Sequence, residues 1–246
     1  MIEAEQYDDV VVLRLARGRV NALDLDLCRA ITSALADHAE AGAVVLTAAG
    51  SCFSAGVDLK RLVDGGPGYV EEFLPALNAA FLAVFDYPRP IVAAVNGHAI
   101  AGGCVIAAGC DHRLMAGGRI GLTELAVGVP FPLVALEIVR YFAGPLTGEL
   151  VLGGHLLDPA EAAAHRLVEA VGPDDLLDRA IGRAGELAGV PAATYRLTKE
   201  QLHRPVHAAI DAARAVDDRL VEEIWRSGDS LDGVRRYMAK LDTRRQ

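Results

Sequence analysis

Two short stretches carry residue types from which a reactive site could be built. One is Phe53-Ser54-Ala55-Gly56-Val57-Asp58-Leu59; the other, about 40 residues later, is Ala94-Val95-Asn96-Gly97-His98-Ala99-Ile100-Ala101-Gly102-Gly103. Each follows an apolar run and gives way to small residues, the order expected of a strand, a glycine turn and a helix start. Glycine at a helix start leaves backbone N–H groups uncovered by any Cβ, at the end where the macrodipole is positive. Such a place suits a developing negative charge. Close packing of a helix on a strand calls for the same glycines, so a structural reading stands beside the chemical one.

The elements that must position these stretches can be read outward from them. Residues 10–15 read as a strand, and Asn21-Ala22-Leu23 as a turn into a helix capped by Asp24, with Leu27, Ile31, Leu35 and Ala39 recurring every four positions. Residues 43–48 form a nearly all-apolar strand of the kind found inside a parallel sheet. Asp58 is placed to cap a helix beginning near Leu59, the Gly65-Gly66-Pro67-Gly68 run reads as a mobile loop, and 69–85 resume helical periodicity. Residues 91–95 are a buried strand and 104–110 a small-residue buried helix.

Further on, Leu136, Val139 and Phe142 share a helical face, another helix starts near Pro145, and Asp158-Pro159-Ala160-Glu161 has cap, proline and acidic first turn in order. Residues 167–171 read as a strand closing the core. From Pro191 the pattern is almost wholly helical, with a charged stretch, 199–204, before amphipathic segments at 205–226 and 230–241. Strand, helix, strand, glycine, helix recurs over the first two-thirds, so the fold class is α/β, divided as a core over 1–190 and an appended helical region over 191–246.

The 246 residues are 52% hydrophobic, enough for a sizeable core, and the net charge of −9 argues against nucleic acid as a partner. The longest apolar run is interrupted by Asn96, Gly97 and His98, so no membrane span is expected, and no charged N-terminal leader precedes an apolar run. A cytoplasmic protein is the expectation. Cys28, Cys52, Cys104 and Cys110 lack CxxC spacing and read as buried reduced thiols; the seven histidines show no paired ligand spacing, so no metal is expected.

The pair FSAGVDL and AVNGHAIAGG, with the second leading into GCDHR, resembles the enoyl-CoA hydratase/isomerase family, the crotonase superfamily. The likeness extends from the VNAL of residues 20–23 to the C-terminal helices. It implies a spiral of repeated ββα units with a C-terminal helical layer. It also implies an oxyanion hole made by the backbone N–H groups of Val57 and Gly102, which would hold a thioester carbonyl as an enolate forms. Removing one donor from such a hole typically costs ~3 kcal/mol of transition-state stabilisation. Acyl-CoA is then the expected ligand, with coenzyme A carried on the substrate and no other cofactor. Ala22, Leu23, Ala55 and Asp58 fall where the family holds the adenine, with Lys60 or Arg61 near phosphate.

The family takes its acid–base glutamates from two places. At the first this chain has Val105, which cannot transfer protons; at the second it has Glu124. The apolar neighbours Ile120, Leu122, Leu125 and Val127 predict a raised pKa for Glu124, suited to taking and returning a proton; the alternative is a helix-start carboxylate bonded to backbone. One glutamate resembles the Δ3,Δ2-enoyl-CoA isomerase pattern. A hydratase or hydrolase using Glu124 to activate water is the alternative, with Asp64, Glu71, Glu72 and Glu137 as candidates for a second acid. A non-catalytic acyl-CoA-binding protein is the alternative of another class. His98 reads as a packing histidine, and Asp111 with Arg113 as a structural ion pair. The C-terminal helices imply a homotrimer or a dimer of trimers.

Overall fold

The computed structural model describes residues 1–243. In chain order the elements are β1 (Ile2–Tyr7), β2 (Val10–Leu15), α1 (Leu25–Asp37), β3 (Ala43–Ala48), β4 (Cys52–Ser54), α2 (Leu59–Phe85), β5 (Ile91–Val95), β6 (His98–Ile100), α3 (Gly102–Gly109), β7 (His112–Met115), β8 (Ile120–Gly121) and α4 (Glu124–Val127). There follow α5 (Leu133–Ala143), α6 (Thr147–Gly153), β9 (Leu156–Leu157), α7 (Pro159–Ala164), β10 (Glu169–Ala170), α8 (Leu176–Ala188), α9 (Ala192–Arg226) and α10 (Gly228–Thr243).

The strands form two sheets, ordered β1-β2-β3-β5-β7-β10 and β4-β6-β8-β9. Each of β3-β4-α2, β5-β6-α3 and β7-β8-α4 therefore contributes one strand to each sheet before its helix begins. This is the expected spiral of ββα units. Within the larger sheet β2, β3, β5, β7 and β10 are parallel and only β1 runs antiparallel. The wholly buried β3 and β5 explain the apolar and nearly all-apolar runs of the sequence. Their side chains alternate between two cores. Val44, Leu46, Ile91 and Ala93 face the main core, while Ala43, Val45, Val92 and Ala94 pack with Leu176, Ala180 and Ala184 of α8.

The caps are made as the sequence requires. Asp24 accepts from Leu27 N at 2.8 Å, Asp58 accepts from Arg61 N at 2.9 Å, and Asp158 with Glu161 forms a reciprocal capping box. All four cysteines are buried free thiols.

Several expectations are corrected. The Gly65–Gly68 run is not a loop: α2 passes through it, kinked where Gly66 takes φ +61, and Pro67 restarts the helix as a first-turn proline can. At 27 residues α2 is also long and apolar enough by composition to cross a membrane, although Phe73, Leu77, Phe81 and Val84 are buried in the core. His98 is exposed rather than packed. Asp111 and Arg113 do not pair with each other. Asp111 meets Lys199 Nζ at 2.8 Å and accepts from Ile91 N and Tyr195 OH, while Arg113 donates to the carbonyls of Ala108, Cys110 and Leu167. The strand expected over 167–171 shortens to β10, and α9 runs unbroken through Pro205.

The helices after residue 190 have no separate core. Val206, Ile210, Trp225, Leu231 and Val234 join the cluster that covers the main sheet, so a boundary near 190 marks a change of pattern within one packed body. Residues 244–246 of that region lie outside the described residues.

Candidate active site

The first glycine motif is held by Asn21, which is fully buried at φ +47. Its Oδ1 accepts from Arg17 N at 2.8 Å and its Nδ2 donates to Cys52 O at 2.8 Å and Ala49 O at 3.2 Å. Ser54 Oγ donates to Asn21 O at 2.8 Å and accepts from Gly56 N at 3.2 Å. On either side of Val57, Leu23 N donates to Gly56 O and Asp58 N donates to Leu23 O. The backbone flanking Val57 is thus fixed. Its own N–H has no acceptor among the described residues.

The second motif meets the first directly. Gly56 sits at φ +80, and a Cβ there would lie 2.8 Å from Ile100 O and 3.2 Å from Gly102 N. A Cβ on Gly103 would lie only 2.3 Å from Ser54 O. Glycine is therefore needed at both positions for the two turns to touch. Ala101 takes φ +51, a strained conformation for a residue bearing a Cβ, held by Ala101 N to Gly121 O and Val105 N to Ala101 O. Gly102 then opens α3 with an N–H that lacks an acceptor among the described residues.

Val57 and Gly102 line one cavity of about 810 Å³. Glu124 lines it too, carried at the first position of α4, where β8 ends. The carboxyl is buried, and its Oε2 has no hydrogen-bond partner. Burial pushes its pKa up to about 7, partly opposed by backbone hydrogen bonds at Glu124 and Thr123. Such a group exists in both protonation states near neutrality. The buried Cys104 thiol is pushed up by burial and further by the charge of Glu124, which keeps it from acting as a thiolate.

Of the residues expected at a coenzyme A site, Ala22, Ala55, Asp58 and Lys60 line the cavity. Leu23 does not: it is fully buried, its N–H donates to Gly56 O and its C=O accepts from Asp58 N, so it shapes the turn that carries Val57. Lys60 is exposed at the rim, where Asp64 pairs with it at 2.5 Å and holds its pKa up. Arg61 turns to Asp24 and Asp26, away from the cavity wall.

The candidates for a second acid do not gather around Glu124. Asp64 lines the cavity but is exposed and paired. Glu71 and Glu72 are exposed and pair with Arg226 and Arg29; Glu137 is buried, pairs with Arg140 at 2.9 Å and lies off the cavity wall. Val105 is buried in the main core. Residues not expected from the sequence complete the wall: Leu77 and Phe81 of α2, Trp225 of α9, and Tyr237 and Met238 of α10. The one signal for them was that Trp225 is the single tryptophan of the chain. Among the described residues no cluster of three His, Cys, Asp or Glu side chains could hold a metal.

A spiral of ββα units whose turns converge on one cavity is the crotonase fold. The chain belongs to the enoyl-CoA hydratase/isomerase family, whose model matches residues 5–245. It is 34% identical to a putative enoyl-CoA hydratase of Thermus thermophilus, over 99% of this chain and all of that one. It is 26% identical to the mitochondrial enoyl-CoA delta isomerase 1 of Mus musculus, over 98% of this chain and 86% of that one. The crystal structure of human mitochondrial delta3-delta2-enoyl-CoA isomerase superposes with a TM-score of 0.92, covering 100% of this chain and 99% of that one; at 22% identity it speaks for the fold.

Proposed function

We propose that this protein isomerises enoyl-CoA thioesters, with Glu124 as its single proton shuttle. The observation that carries this reading is that Glu124 is the one buried carboxyl on the cavity wall among the described residues, with a pKa near 7 and an unpartnered oxygen. The thioester oxygen accepts from the N–H groups of Val57 and Gly102. Ionised Glu124 takes a proton from C2 of a 3-enoyl chain; the electron pair of that C–H bond forms C1=C2 as the C=O π pair moves onto the thioester oxygen, giving a dienolate. Charge accumulates on the thioester oxygen between the two donors, Val57 on the turn held by the Asn21–Ser54 network and Gly102 on the turn held through Ala101, so they need no reorganisation. On collapse the oxygen pair re-forms C=O, C1=C2 shifts to C2=C3 and the C3=C4 pair bonds the proton at C4. Protonated Glu124 returns that proton, leaving the 2-enoyl thioester and a regenerated carboxylate.

Hydration requires one group to activate water and a second to deliver a proton, and no second buried carboxyl lines the cavity among the described residues. A hydratase or hydrolase reading, with Glu124 activating water, has in its favour the printed name of the 34% identical relative. Incubation with 3-enoyl-CoA and with 2-enoyl-CoA separates the two. Isomerisation in the parent, lost by ~100- to 10,000-fold in Glu124→Gln with acyl-CoA affinity retained, supports the proposal. Hydration as the faster reaction, or full isomerase activity in Glu124→Gln, overturns it, and binding without any turnover indicates an acyl-CoA-binding protein. Coenzyme A enters on the substrate, past Ala22, Ala55 and Asp58, with Lys60 near its phosphates.

We also propose self-association as a homotrimer or dimer of trimers. Val216, Leu220 and Ile224 recur every fourth residue of α9 and are exposed, as are Leu197 and Leu202 nearer its start. A sedimentation measurement giving only monomer at micromolar concentration counts against it.

A further inference from the structure

The cavity holding Glu124 runs against a second, smaller hollow. Pro132, the residue that opens α5, lines both. The second hollow, about 310 Å³, lies along the other flank of α2: Leu77 and Phe81 face the main cavity, whereas Leu74 and Ala79 face the hollow. On α9 the same division falls within one helical turn, since Trp225 lines the main cavity and Val221, four residues earlier, lines the hollow. Trp225 is fixed in place. Its side chain is buried, and its indole Nε1 donates to Pro130 O at 2.9 Å, tying α9 to the short turn that ends in Pro132.

We infer that Trp225 and Pro132 form a partition that ends the apolar arm of the cavity and sets the longest acyl chain the protein accepts. This rests on the acyl-CoA reading above. Much of the cavity wall is hydrocarbon, from Leu77, Phe81, Val127, Val129 and Ala135, and the tail of a chain whose thioester lies at Val57 and Gly102 gains by each methylene buried there until it meets the indole. The hollow is lined by apolar Leu74, Leu82 and Val221 as well as by Arg214, Asp218 and Glu222. Removing the indole therefore gives a tail room for a further short run of methylenes.

Saturated acyl-CoAs of increasing length, which lack the double bond to be moved, measure this by calorimetric titration. In the parent, affinity should rise about fourfold per methylene, then level off at one length. Trp225→Leu should move that length upward by about two methylenes, with a gain of about 15-fold for the longer chain. Trp225→Phe keeps an aromatic wall without the indole N–H and should keep the parent's limit, which separates the wall from general loosening of α9. The same limit in all three proteins, with acyl-CoA bound by each, overturns the partition while leaving the acyl-CoA reading intact. A shift in Trp225→Phe as large as in Trp225→Leu also overturns it, because the hydrogen bond and not the bulk would then set the limit. Failure of the parent to bind any saturated acyl-CoA removes the acyl-CoA reading itself, and the partition with it.

Discussion

Replacing Glu124 by glutamine should make the protein's stability less sensitive to pH. In the unfolded chain this carboxyl titrates near 4.5; folded, burial moves it to about 7. Between those values the folded state keeps a proton that the unfolded state has released. The stability associated with this group is therefore greatest below 4.5, falls as pH rises through the window, and is flat again above 7. The displacement corresponds to about 3 kcal/mol lost when the carboxylate ionises in place. Only 8% of Glu124 is exposed, so little of this is recovered by solvent. Glutamine matches the protonated carboxyl in shape and cannot ionise. Whatever its amide costs where Oε2 has no partner is the same at every pH, so the informative quantity is how the variant-minus-parent difference changes between about pH 4 and about pH 8. That change should be about 3 kcal/mol in favour of the variant, or roughly 6–12 °C in relative Tm for a chain of this size. Denaturant titrations followed by circular dichroism at one protein concentration measure it. A difference constant to within about 1 kcal/mol across the range would refute the claim that Glu124 is a desolvated base, whatever the variant's activity. The same carboxyl should appear in kcat/KM for 3-enoyl-CoA as a rise with an apparent pKa near 7.

Four other substitutions test separate parts of the structure. Gly103→Ala should cost about 3 kcal/mol or more, because its methyl would sit 2.3 Å from Ser54 O, whereas Gly182→Ala at an exposed position of α8, where a Cβ meets nothing within 4 Å, should be neutral or stabilise by about 0.5–1 kcal/mol; urea unfolding compares them. Asp111→Asn should destabilise by about 3–5 kcal/mol through the uncompensated charge of buried Lys199, with kcat of the folded fraction unchanged because neither residue lines the main cavity. Lys60→Ala should raise KM for acyl-CoA by about 2- to 5-fold at low salt and less at high salt, with kcat unchanged; a fall in kcat would place Lys60 in the chemistry instead.

The parts legible in sequence are those where one residue type answers to one physical requirement. Asp24, Asp58 and Asp158 were readable as caps because a short carboxylate before an apolar period has few other uses there, and β3 and β5 because an apolar or nearly all-apolar run fits only a strand covered on both faces. The Gly65–Gly68 run misled because glycine and proline punctuate loops and also permit a kink; which occurs depends on the packing of Val70 and Phe73, far from the signal.

The distant wall of the cavity was illegible for a more general reason. On α9, inward-facing Val206 and Ile210 recur at helical spacing, and so do exposed Val216, Leu220 and Ile224. Periodicity reports that a stripe exists and not what covers it. The structure separates the two stripes: one is spent on this chain's own sheet and, through Trp225, on its own cavity, whereas the other, like Leu197 and Leu202 nearer the start of α9, is exposed. If α9 assembles subunits, it does so with its exposed residues, Val216, Leu220 and Ile224 among them, and not with the face that bears Trp225. Val216→Asp with Leu220→Asp should then abolish association in sedimentation while leaving acyl-CoA affinity and its chain-length limit as in the parent; loss of both together would mean that the cavity is completed between subunits after all.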